Sequence, residues 1–276
     1  MRVLDAFLQR LARQRAVLVV VAHTEGSAPR EPGAWMAVWP DGALGTIGGG
    51  QLEWQATAEA RAWLAASGDT APAPAVRRYA LGPALGQCCG GVVHVRFESV
   101  CAADAPALRT RLAPAHASVA VFGGGHVGQA LVRLLADLPF DVQWVDSRDE
   151  VFPADTPAHV RLEHSAPVHA AVAELPPGTR VLIMSFSHAE DLDIVAACLQ
   201  RQRARDDLPF IGLIGSRTKW ASFASRLRAR GFADDELARV RCPIGVAGIH
   251  GKQPAVVAVA VAAQLLQQGG GRSDAW

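Results

Sequence analysis

The sequence predicts two α/β domains, the second built on a doubly wound parallel sheet. Three observations carry this. The chain has 276 residues, half of them hydrophobic, which suffices for two cores at about 150 residues per domain. From residue 118 onward, apolar strand signals alternate with helical ones, the pattern of a parallel sheet covered by helices on both faces. The first of those strands and the first helix are joined by a glycine turn, "VFGGGHVGQ", and an acid stands at the end of the next strand.

The elements follow in order. Val3, Leu4, Phe7, Leu8 and Leu11 recur at helical spacing, and "AVLVVVA" is a β-branched run, so a helix packed on a sheet opens the chain. A polar loop, "HTEGSAPREPG", leads to the strand "AWMAVWP" and the turn "PDG". "TIGGG" then enters a helix with a stripe of Leu52, Ala56, Ala60, Trp63 and Leu64. "VRRYA" and "VVHVRFE" read as two short strands with a cysteine-bearing loop between them. These elements make an N-terminal α/β domain over residues 1–100. The Ala- and Pro-rich stretch 101–117 reads as a linker, with a helical portion that fits either domain. Residues 118–268 form the second domain, through "SVAVF", "DVQWVDS", "RVLIMSF", "FIGLIGS" and their helices, ending on "QPAVVAVAVAAQLLQQ". Residues 269–276 read as a disordered tail.

Composition excludes several function classes. Lys plus Arg number 27 against 26 Asp plus Glu, so there is no basic field for nucleic acid. The charges spread through "MRVLDAFLQRLARQR" do not suit a signal peptide, and no apolar run reaches the ~20 residues of a membrane span. Five cysteines, an odd number in a chain of this size, predict reduced thiols and a cytoplasmic protein.

Gly123, Gly125 and Gly128 form GxGxxG directly between a strand and an amphipathic helix, with Asp146 ending the next strand. This is the Rossmann fingerprint in context. Its glycines let backbone approach a pyrophosphate, the helix N-terminus offers donors, and the acid suits a ribose hydroxyl. The alternative is that the glycines serve only close strand–helix packing. His126 and Arg148 add donors at the mouth. Gly48, Gly49 and Gly50 form a second glycine turn before the helix bearing Glu53. Either it exposes N–H groups to an anion, or it is a flexible turn with Glu53 favourably placed at the dipole. Ser27 and Arg30 share a loop of the same domain. In the second domain Ser216, Arg217 and Lys219 open a basic run that is either a docking patch or a solvated face. His188 and Asp191 follow another strand, where Asp191 suits a helix cap.

Cys88 and Cys89 are adjacent, framed by Gly86, Gly90 and Gly91. Adjacent side chains diverge and no CxxC accompanies them, which argues against structural zinc. Free thiols in a glycine frame suit reaction or a soft metal, and the alternative is packing as a small hydrophobe.

The blocks "EGSAPREPGAWM", "GTIGGGQLE", "LGPALGQCCGG", "VFGGGHVGQALV", "WVDSR", "FIGLIGS", "CPIG" and "GIHGKQPAVVAVAVAAQLL" stand in the order found in the XdhC/CoxI family, which this chain resembles to about residue 266. One departure is Gly124, where relatives are expected to carry alanine. The resemblance implies a non-enzymatic homodimer that binds molybdenum cofactor, in its molybdopterin or a dinucleotide form. Such a protein shields the sulfurated cofactor and inserts it into an apo molybdenum hydroxylase such as xanthine dehydrogenase, after contact with a cysteine desulfurase. Cofactor binding then falls to Gly48, Gly49, Gly50, Glu53, Gln87, Cys88, Cys89, Gly123, Gly125, His126, Gly128, Asp146 and Arg148, with Cys88 or Cys89 approaching molybdenum or its sulfido ligand. Two rival readings are an NAD(P)-dependent oxidoreductase, for which the second domain has no tyrosine, Tyr79 being the chain's single one, and a scaffold joining desulfurase to hydroxylase.

Overall fold

A computed structural model describes residues 3–66, 73–82, 90–113 and 116–268. It divides into two compact units, Met1–Ala113 and Pro114–Trp276.

The first unit is built on a five-stranded antiparallel sheet. Its strands are β1 (Ala16–Glu25), β2 (Trp35–Trp39), β3 (Gly42–Gly45), β4 (Ala75–Ala80) and β5 (Val92–Val100), in the order β3-β2-β1-β5-β4. Alternate residues of β1 serve two cores. Val17, Val19 and Val21 face helix α2 (Gly50–Ala66) through Leu52, Ala56 and Ala60. Ala16, Leu18 and Val20 face helices α1 (Val3–Leu11) and α3 (Ala105–Leu112) through Phe7, Leu8, Leu11, Leu108 and Leu112. A central strand covered on both faces is apolar at every position, which is why "AVLVVV" shows no alternation. Within the stretch read as a linker, Leu108 and Leu112 are buried in this unit's core, and strand β6 already begins at Ala117.

The second unit carries six strands, all parallel: β6 (Ala117–Phe122), β7 (Phe140–Asp146), β8 (Arg161–His164), β9 (Arg180–Ile183), β10 (Phe210–Leu213) and β11 (Val240–Arg241). The order β11-β10-β9-β6-β7-β8 is that of a Rossmann sheet, with its topological switch between β6 and β9. One face packs on α4 (His126–Ala136) and α8 (Pro254–Gln268). The other packs on α5 (His188–Arg205), α6 (Arg217–Ala229), the short α7 (Asp234–Leu237) and a 3-10 turn over Val168–Glu174.

Three strands, β3, β8 and β11, are not among those the sequence predicts; β3 is four residues long with a glycine at each end. Arg161–His164 is polar and largely exposed at one sheet edge, and Val240–Arg241 is two residues long. Among the described residues no helix is long and apolar enough to cross a membrane. The expected tail, 269–276, lies outside the described residues.

Candidate functional site

The carboxyl ends of β6, β7 and β9 meet at the switch point. Gly123 takes up the left-handed region (φ +125°), and a Cβ there would stand 2.0 Å from the Met184 carbonyl oxygen. A Cβ at Gly128 would stand 2.0 Å from the Gly123 carbonyl, which also accepts from Trp144 Nε1 at 2.9 Å. These two glycines are fixed by packing. Gly125 is different. It is exposed, a Cβ there would meet nothing within 4 Å, and it caps α4 without any side-chain cap bond. The head of α4, with exposed His126, is therefore an uncapped set of N–H donors over open space, which an anion fits. At Gly124 a Cβ would come within 2.8 Å of both Val151 methyls, so an alanine there requires a displaced or smaller neighbour at 151.

Asp146 stands where the fingerprint puts it, but its carboxylate is already engaged. Oδ2 accepts from Gly124 N (2.6 Å) and Arg148 Nη2 (2.9 Å), and Oδ1 from Arg148 N and Nε (both 2.9 Å). Only 1 % of its side chain is exposed. The acid expected to face a ribose hydroxyl instead ties the glycine turn to Arg148. Burial pushes its pKa up. The Arg148 guanidinium and the two backbone N–H groups outweigh that and hold the carboxyl below its ordinary range.

From this anchor Arg148 reaches over Phe186, its guanidinium carbon 4.6 Å from the ring centroid. Phe186 follows β9 and is 66 % exposed. Ser147 Oγ donates to Glu190 Oε1 at 2.5 Å, while Glu190 Oε2 is buried with no hydrogen-bond partner.

The β9 loop is fixed in turn. Ser185 donates from N (2.8 Å) and Oγ (2.7 Å) to Asp191 Oδ1, and Lys219 Nζ lies 2.6 Å from Asp191 Oδ2 and 2.9 Å from the Ile214 carbonyl. Asp191 is thus a buried strut between two loops. The cap of α5 is Ser187, whose Oγ accepts from Glu190 N at 3.2 Å. Cys242 lies against Ser216, its thiol pushed up by burial despite Lys219. Much of the basic run is paired: Arg201 with Asp207, Arg203 with Glu236, Arg228 with Asp234 and Arg230 with Asp193. Arg203, Arg228 and Arg230 are exposed, as on a solvated face, whereas Arg201 is buried and also donates to the Val172 carbonyl.

In the first unit the second glycine turn is closed on itself. Glu53 Oε2 accepts from Thr46 Oγ1 (2.5 Å), Ile47 N (3.0 Å) and Gly49 N (3.1 Å), and Gly48 N donates to Thr46 Oγ1 (3.1 Å). The donors expected at Gly48 and Gly49 serve the chain's own side chains, because a carboxylate in the first turn of α2 folds back over the helix N-terminus. Pro29 packs on Gly48, and Gly91 approaches the Ser27 carbonyl so closely that a Cβ would stand 2.3 Å from it. The motif blocks around Ser27, Gly48 and Gly91 therefore share one end of this sheet. Trp54, on the same helix turn, is 67 % exposed. Gln87, Cys88 and Cys89 lie outside the described residues. Among the described residues no group of His, Cys, Asp or Glu is arranged to hold a metal.

A family model described as the XdhC Rossmann domain matches residues 119–265, and one described as the XdhC and CoxI family matches residues 9–80. The chain belongs to the XdhC/CoxI family. Another protein similar to this family member is YqeB of Escherichia coli (strain K12), an uncharacterized protein 30 % identical over 251 residues. The match takes in 90 % of this chain but 42 % of YqeB, so the chain spans about two fifths of that relative's length. Among solved structures, a Bacillus halodurans protein described as a xanthine dehydrogenase shares the fold, with a TM-score of 0.77 over 99 % of this chain and 97 % of that one, at 20 % identity. A Shigella flexneri Rossmann-fold NAD(P)-binding family protein aligns with 53 % of this chain and 86 % of its own, at 15 % identity and a TM-score of 0.36, too low to carry an argument.

The family's Rossmann domain thus contains both the turn with open space at Gly125 and the residues that cross its mouth. Of the residues the sequence singles out, the structure brings together Gly123, Gly125, Gly128, Asp146 and Arg148. Phe186, Ser147 and Glu190, which the sequence does not single out, lie beside them. The one available signal was their place after strands, in "SFSHAE" and "VDSR".

Proposed function

We propose that this chain is a maturation factor that binds molybdenum cofactor as cargo, shields its sulfurated form and delivers it to an apo molybdenum hydroxylase such as xanthine dehydrogenase. The cargo supplies the hydroxylase with its molybdenum–sulfur centre. In this reading the chain acts as a homodimer in the cytoplasm, catalyses no reaction of its own, and receives sulfurated cofactor through contact with a cysteine desulfurase.

The observation that carries the reading is the open side of Gly125 at the uncapped head of α4, inside the domain matched by the XdhC Rossmann model. Gly123 and Gly128 hold the turn's shape, Gly125 and His126 offer backbone donors to the cargo's phosphate, and Arg148 adds positive charge beside them. In the first unit Glu53 fixes the glycine turn at Gly48, Gly49 and Gly50, and Gln87, Cys88 and Cys89 are assigned to the molybdenum centre on the ground of side-chain chemistry alone. Thiolates suit such a soft centre.

The test is molybdenum and pterin content of chain purified from cells that make the cofactor, together with activation of apo xanthine dehydrogenase. Wild type retains molybdenum and activates; Gly125→Val folds but loses retention. Chain that carries no molybdenum and activates nothing overturns the reading. Unchanged retention and activation in both Cys88→Ala and Cys89→Ala removes the thiols from it.

A further inference from the structure

The strand order sets β7 and β9 on either side of β6. A dinucleotide with its pyrophosphate on the glycine turn must pass its nucleoside over the carboxyl end of β6, through the crevice between the segments that follow β7 and β9. Those segments touch. The Arg148 guanidinium stacks on the Phe186 ring at 4.6 Å, and Ser147 Oγ donates to Glu190 Oε1 at 2.5 Å. Both contacts join the loop after β7 to the loop after β9 or the first turn of α5.

Each end of this strap is rooted in a buried carboxylate. Asp146 grips Arg148 through Nε and Nη2, and Asp191 grips Ser185, next to Phe186, while itself paired with Lys219. The group that would accept a ribose hydroxyl is therefore consumed, and the space for a base is bridged. What the strap leaves open is the side of Gly125. Arg148 Nη1 has no hydrogen-bond partner among the described residues, so a donor remains for a phosphate oxygen.

We propose that the strap of Ser147, Arg148, Phe186 and Glu190 bars a nucleoside from the Rossmann crevice, so that the ligand of this turn ends in a phosphate monoester and is not a dinucleotide. The inference rests on the reading of the Gly125 turn as an anion site, and it names the chemical class that site takes.

Calorimetric titration tests it, with NAD as the nucleotide probe and inorganic phosphate as the anion probe, on wild type, Phe186→Ala and Ser147→Ala/Phe186→Ala. Phe186 is exposed, so its single variant folds even if the double variant does not. Opening the strap is expected to tighten NAD binding about tenfold or more, since the stack and the hydrogen bond no longer oppose it, with phosphate affinity unchanged. Equal NAD affinity in wild type and variants, whether measurable or absent in all, overturns the proposal. The cofactor reading is separable. Wild type that holds molybdenum cofactor with a nucleotide attached sinks the strap and leaves that reading standing. Wild type without molybdenum, alongside a gain of NAD affinity in Phe186→Ala, does the reverse.

Discussion

The chain contains two glycine turns at helix N-termini, each with a carboxylate accepting from its backbone, and they do opposite things. In the first unit Glu53 belongs to the helix that the turn introduces. It curls back onto Ile47 N and Gly49 N and closes the turn. In the second unit Asp146 comes from the neighbouring strand and reaches Gly124 N alone, so the turn is braced from behind while Gly125 and the head of α4 stay open. An identical local signal, glycines before a helix with an acid nearby, becomes a self-capped corner in one case and a turn with an open helix head in the other. What separates them is the direction from which the carboxylate arrives.

The largest expected effect tests bracing in the second unit. Gly128→Ala sets a methyl 2.0 Å from a backbone oxygen, an overlap that no side-chain rotation relieves, and is expected to cost about 3 kcal/mol or more in urea denaturation. Arg148→Met comes next, at about 3 kcal/mol near neutral pH, since among the described residues it removes the cationic partner of a buried carboxylate. The pH dependence has a definite sign. The folded Asp146 carboxyl lies below its ordinary value, so its contribution is fully present above the unfolded pKa near ~3.9 and is lost as pH falls through the lower folded one. The gap between wild type and Arg148→Met should accordingly shrink below about pH 4. A gap that widens on acidification would mean that Asp146 is not the group concerned.

The first unit's turn gives smaller effects. Glu53→Gln removes a charged acceptor of two backbone N–H groups, and about 1–2 kcal/mol is expected, read as a lower denaturation midpoint. Gly49→Ala has open space but a left-handed backbone (φ +73°), and should cost about 1 kcal/mol. Gly125→Ala, with open space and φ −69°, should shift stability by less than about 0.5 kcal/mol while weakening phosphate binding. If Gly49→Ala rather than Gly125→Ala weakened phosphate binding, the assignment of the two turns would be inverted.

Much of the fold was legible because its strongest signals are local. Six apolar residues in "AVLVVV", the strand–turn–helix grammar around Gly123, and the strand–helix alternation after β9 and β10 all report on themselves, although the cap of α5 is Ser187 and not Asp191. The strands β3, β8 and β11 did not, since β3 is a four-residue edge strand with two glycines, β8 is polar at an edge and β11 is two residues long; only neighbouring strands define them. The same division runs through the site. The turn of Gly123, Gly125 and Gly128 was legible as one motif, whereas nothing in the sequence singles out Phe186, whose exposure and stack on Arg148 depend on a strand order no short window contains.

By itself the sequence determined the family, the two-domain α/β plan and the positions of both glycine turns, because periodicity, turn chemistry and motif order are properties of contiguous residues. The tertiary structure alone decided which turn is open. Glu53 closes its own turn from four residues away, whereas Asp146 reaches Gly124 from the next strand and loops 147–148 and 186–190 meet across β6, contacts between segments distant in sequence that the sheet brings together.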